Sequence, residues 1–181
     1  MPVRFERKLP YLGRMHRLAL FALTLLLAGA ASAAEKKPLG EFAQWSAFET
    51  RQDGGQVCYA IAKPQDNQPK GVARGDVWLL VTHRPKQRAR NEVSVIAGYP
   101  LKTDSQVELQ VDNGRFQMFV SGDSAWSEKP QDDERLVAAM RKGKQIVVNG
   151  VSQRGTKTTD RYALSGFTDA LRAIGKACGV D

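Results

Sequence analysis

Along most of the chain, apolar and polar positions alternate over short segments, the period-two pattern of half-buried β-strands. The pattern predicts strands over residues 44–49, 57–62, 92–97, 124–126, 145–153 and 161–165. Residues 77–81 (Val-Trp-Leu-Leu-Val) are continuously apolar, which predicts a strand buried on both faces within 76–82. Asn113-Gly114 is the preferred pair for a two-residue hairpin turn. Centring the turn there sets Val111 opposite Phe116, Leu109 opposite Met118, Val107 opposite Val120 and Asp112 opposite Arg115. All the apolar residues of that hairpin then share one face. Residues 35–40 read as a mobile start, and 63–75, with two prolines and two glycines, as a loop.

Two stretches change to helical spacing. Leu136, Val137 and Met140 give residues 132–142 an apolar side, with Asp132 and Asp133 at the positive end and Gly143 as the stop. Near the C-terminus, Phe167, Ala170, Leu171, Ile174 and Cys178 form one helical stripe. Ser165 has the position and chemistry of its N-cap. Short strands at short spacing with two short helices, and no βα alternation, predict a mainly β chain: an antiparallel β-sandwich.

Residues 1–33 stand apart. Arg4, Arg7, Lys8, Arg14 and Arg17 precede the apolar run 18–27, and Ala31-Ser32-Ala33 is a small-residue cleavage pattern. This is the form of a secretory signal peptide cut before Ala34. It leaves a single β-sandwich domain over 34–181 with no transmembrane segment, since the run is shorter than the ~20 residues a spanning helix needs. The predicted location is the periplasm, with outer-membrane association or secretion as further destinations. The leader also carries much of the charge. The whole chain has 27 basic and 19 acidic residues, whereas residues 34–181 have 22 and 18, a net +4. That is poor support for nucleic-acid binding, and no nucleic-acid partner is expected.

Two cysteines in an exported chain predict one disulfide, Cys58–Cys178, fastening the C-terminal helix. Catalytic groups are scarce. His83 is the one histidine after the leader and is expected as a solvated loop residue among cations. A lone His and two distant Cys do not make a zinc site, and no metal or cofactor is expected. Carboxylates such as Glu92 and Glu108 are scattered. A carboxylate-dependent periplasmic hydrolase is the alternative to a non-enzymatic protein. Trp45, Trp78 and Trp126 are expected in the core. The candidate binding feature is the basic loop 83–90, where Arg84, Lys86, Arg88 and Arg90 could meet an anionic partner. The competing role for these cations is to keep strand edges from pairing.

Several features in order resemble the invasion-associated locus B family of bacterial exported proteins. They are Trp45, Cys58, Val81-Thr82, Arg84-Pro85, Gly98-Tyr99-Pro100, Ala125-Trp126, the helix near 136–143, Arg154-Gly155-Thr156, the run 162–167 and Cys178. The resemblance implies a periplasmic or outer-membrane-associated β-sandwich with one disulfide, and in some members an association with host-cell entry. It supplies no catalytic residues. The function expected is a non-enzymatic envelope protein that binds an envelope or host protein, or an anionic lipid or lipopolysaccharide surface.

Overall fold

A computed structural model describes residues 35–180. The predicted leader and its cut lie outside the described residues. The strands are β1 (Lys37–Phe42), β2 (Trp45–Gln52), β3 (Gly55–Ala62), β4 (Asp66–Gln68), β5 (Trp78–Arg84), β6 (Ala89–Ile96), β7 (Gln106–Val111), β8 (Gly114–Ser121), β9 (Ser124–Trp126), β10 (Gln145–Val151) and β11 (Lys157–Ala163). Two helices, α1 (Pro130–Met140) and α2 (Phe167–Cys178), complete the described chain. All strands join one antiparallel sheet in the order β1-β2-β3-β5-β6-β9-β8-β7-β10-β11-β4. The mainly antiparallel β class is as expected, and its two layers are parts of one continuous sheet.

The sheet curls because its inward residues form a single cluster. Trp45, Leu79, Val95, Leu109, Met118, Ile146 and Tyr162 come from both ends of the strand order and are buried together. Trp45 closes the curl: its Nε1 donates to the Ala163 carbonyl at 3.0 Å, joining β2 to the end of β11. Its ring lies 4.8 Å from that of Phe167, the first residue of α2. The α2 stripe buries Phe167, Ala170, Ile174 and Cys178 as its spacing requires. Cys178 bonds to Cys58 on β3, with a Cα–Cα distance of 6.0 Å.

Several expectations are corrected. Residues 37–42 are strand β1, paired with β2, and not a mobile start. Pro38 is tolerated because β1 is an edge strand with no second neighbour to supply. Residues 66–68 of the expected loop form β4 against β11. The run 77–81 is not buried on both faces: Val77, Leu79 and Val81 are inside, whereas Trp78 and Leu80 are half-exposed on the outer face. Trp126 is likewise half-buried outside, 5.8 Å from Phe119, so Trp45 alone of the three tryptophans is core.

The β7–β8 hairpin turns one residue earlier than expected, which moves the partner of each strand residue by two. Val111 faces Gly114, Leu109 faces Phe116 and Val107 faces Met118, with Asp112 and Asn113 in the turn. A shift of two keeps every side chain on its face, so the hydrophobic pattern could not detect it. Arg115 pairs with Glu108 at 3.0 Å instead of Asp112.

Ser165 does not cap α2. The helix starts from Gly166, in the left-handed region at φ 84°, with no side-chain cap. A Cβ at Gly166 would stand 1.9 Å from the Phe42 carbonyl oxygen. The close approach of β1 selects glycine there, and the helix start follows it. In α1, Asp133 does more than meet the helix dipole. On β6, strand β9 covers only Ser94–Ile96, and just beyond it Asp133 Oδ1 accepts the Val93 N–H at 3.1 Å. Burial pushes the Asp133 carboxyl above its ordinary range, against hydrogen bonds from Ser127 and Val93.

Candidate functional site

The basic segment is a tight hairpin between β5 and β6, closed by a 3-10 turn over Pro85–Gln87 with Arg88 left-handed at φ 55°. Its four cations divide. Arg84 lies in β5, donating to Gln52 Oε1 at 2.9 Å and to Glu92 Oε1 at 3.4 Å. Lys86 lies across the β2–β3 turn and donates to the Asp53 carbonyl at 2.9 Å. Gly55 makes room for its stem, since a Cβ there would be 3.1 Å from Lys86 Cδ. These two cations bind the hairpin to its neighbour. Arg88 is exposed, and among the described residues no carboxylate pairs with it. Arg90 points the other way, to Glu134 on α1 at 3.2 Å. That pair is more than half exposed, so it holds Arg90 weakly.

Beyond Arg90 the surface opens into a groove of about 350 Å³ between α1 and α2. Arg90 from β6, Arg141 from the end of α1 and Arg172 from α2 line it, with Thr168 and Asn91. Val137 and Leu171 contribute apolar wall. A second hollow shares Arg141 and Thr168 and adds Lys142. No carboxylate lines either one. Arg172 pairs with Asp169 at 2.7 Å in an exposed i,i+3 contact. The spacing of Arg141 and Arg172 gave no sign of this meeting, because it depends on how α1 packs on β6 and α2 on β2 and β3.

His83 also lines this groove but is 2% exposed, which corrects its expected place in a solvated loop. Strand β5 continues through it, opposite Cys58, and its side chain faces inward. Nδ1 accepts the Asn91 N–H at 3.0 Å, so in the neutral ring the proton sits on Nε2. Its carbonyl oxygen lies 3.9 Å from the Cys178 sulfur.

A larger cavity of about 500 Å³ brings together Gly98-Tyr99-Pro100, Arg154 and Thr156, with Val72 and Arg74 on its wall. Arg74 is the centre of a buried network. Its guanidinium grips both Asp160 oxygens, at 2.7 and 2.8 Å, and donates to the Ala97 carbonyl. Tyr99 lies over it at 4.9 Å and bonds Thr158. Burial alone would lower the Arg74 pKa, but the Asp160 hydrogen bond and charge outweigh it and raise it. Burial raises both Tyr99 and Tyr162 above the ordinary phenol range. This network was missed from sequence. The available signal was Asp160, which shares the inward face of β11 with Thr158 and Tyr162 and so demands a cation.

Residues 45–175 match the family described as Invasion associated locus B (IalB) protein. The chain belongs to this family. The matched span covers β2 to most of α2, and so includes the Arg74 network and the groove's three arginines. The crystal structure of invasion associated protein B from Bartonella henselae matches with a TM-score of 0.53, covering 81% of this chain and 99% of that one at 20% identity. That likeness establishes a shared fold between this IalB chain and the Bartonella protein. No curated protein matches the chain. No described helix is long and apolar enough to cross a membrane.

Proposed function

We propose that this IalB-family chain is an exported, non-enzymatic envelope protein that binds an anionic partner. One observation carries the reading: Arg88, Arg90, Arg141 and Arg172 lie along one hairpin and the groove it leads into, and the groove has no lining carboxylate. Clustered cations without interspersed carboxylates raise both the rate and the selectivity of meeting an anionic surface. The signal-peptide pattern of residues 1–33 and the Cys58–Cys178 disulfide support export to an oxidising compartment. The partner is an envelope or host protein, or an anionic lipid or lipopolysaccharide surface. Host contact is the setting suggested by the family's name.

The basic patch first placed on Arg84, Lys86, Arg88 and Arg90 narrows in this reading to Arg88 and Arg90. Arg84 and Lys86 are occupied by the neighbouring turn. The carboxylates of the hydrolase alternative are occupied too: Glu92 by Arg84, and Glu108 by Arg115 and Gln117.

Co-sedimentation with phosphatidylglycerol vesicles tests the reading. The protein should pellet with them at low salt, and Arg88→Glu with Arg90→Glu should abolish this while Arg115→Glu leaves it intact. Pelleting that ignores the hairpin reversal would remove the surface from the proposal.

A further inference from the structure

The groove between α1 and α2 is more selective than a cationic surface needs to be. Three arginines line it from three separate segments, Arg90 from β6, Arg141 just after α1 and Arg172 from α2, and every charged side chain lining it is cationic. A guanidinium presents planar donors that match a pair of oxyanion oxygens. One fork satisfies a carboxylate, whereas three arginines around one groove suit a group with three terminal oxygens and two negative charges. Thr168, in the first turn of α2, adds a hydroxyl, and Asn91 adds an amide. The groove is also larger than a bare phosphate requires, and Val137 and Leu171 line it with apolar surface suited to an organic substituent.

The existing partners do not block such a ligand. Glu134 and Asp169 hold Arg90 and Arg172 through exposed pairs, and exposed pairs exchange readily for a ligand oxygen. Arg141 is exposed, and no carboxylate lies within ion-pair distance of it among the described residues.

We infer that this groove binds a phosphomonoester, with Arg90, Arg141 and Arg172 taking its phosphoryl oxygens and the apolar wall taking its organic part. The inference rests on the anionic-partner reading and specifies the site and the chemical group. The phosphomonoester can come from a lipid headgroup or from a soluble ester.

Calorimetric titration of the protein, purified as the cell processes it, decides the matter with phenyl phosphate as probe at fixed ionic strength. Binding is expected, with inorganic phosphate weaker. Arg141→Gln and Arg172→Gln should each lower affinity about tenfold, the size of a lost charge-assisted hydrogen bond. Arg115→Gln, on β8 and outside the groove, should leave it unchanged. Both groove residues are exposed, so the variants fold, and circular dichroism confirms it. No measurable binding of phenyl phosphate, or equal affinity in all variants, overturns the site. Vesicles containing phosphatidic acid, compared with phosphatidylglycerol at equal charge, identify the source. A preference for phosphatidic acid that Arg141→Gln removes indicates a lipid headgroup, and phenyl phosphate binding without that preference indicates a soluble ester. Phosphatidylglycerol pelleting that survives a failed phenyl phosphate titration leaves the anionic-surface reading standing and the groove refuted.

Discussion

Arginine does opposite work in two regions of this protein. Arg74 is 7% exposed, chelates Asp160 with two hydrogen bonds and adds the Ala97 carbonyl as a third acceptor. Its charge is spent inside the fold, fastening the segment before β5 to β11. Arg90, Arg141 and Arg172 are exposed, and their contacts are single, weak or absent among the described residues. The difference lies in what surrounds the charge. A buried guanidinium must find a carboxylate or abandon the interior, whereas an exposed one keeps its water and stays available to a partner. Counting arginines therefore says little about binding until burial has sorted them.

The comparison breaks most severely if the interior is disturbed. Cys178→Ser opens a loop of 120 residues, and on the chain-entropy account it should cost roughly 4–5 kcal/mol. Urea unfolding measures this, and vesicle or phosphate binding should persist wherever the variant remains folded. Arg74→Ala leaves Asp160 buried without its partner and should cost about 3–5 kcal/mol. Arg74→Met with Asp160→Leu should recover most of that, since removing both charges removes the unpaired one. If Arg74→Ala proves nearly neutral, the buried and exposed arginines do not differ in what they contribute to the fold.

Asp133 gives a smaller, pH-dependent effect. Its folded carboxyl titrates above the ordinary range because burial disfavours the charge. The stability it contributes is full below the ordinary aspartate pKa of about 4 and falls as pH rises through the raised value. Asp133→Asn keeps an acceptor for the Val93 N–H and should flatten that decline, seen as urea midpoints measured from acid to neutral pH. The smallest change is expected at the surface. Arg141→Gln and Arg172→Gln should alter stability by less than about 0.5 kcal/mol.

The same contrast explains how much the sequence disclosed. Helices α1 and α2, most strand faces and the disulfide follow from local periodicity and from two cysteines in an exported pattern, so they were legible, whereas the outer face of 77–81 was not. Register was less so, because Asp112-Asn113 and Asn113-Gly114 turns bury the same residues. Strand β1 was hidden because Pro38 and Gly40 read as breakers, and only its edge position makes them acceptable. Of the expected patch, Arg88 and Arg90 remain on the candidate surface, while Arg84 and Lys86 join the scaffold. Arg141 and Arg172 lie 31 residues apart on separate helices, and no local pattern announces that they face one groove. Arg74 and Asp160 are 86 residues apart, and the signal was half present, in an aspartate on an inward face.

The two edges of the sheet carry a further consequence. At one end β1 is interrupted by Pro38 and an irregular register, and at the other β4 is three residues long and is followed at once by Pro69. Neither offers the long, flat row of open backbone groups that another chain could extend. The fold is thus protected against growing into fibres by strand addition.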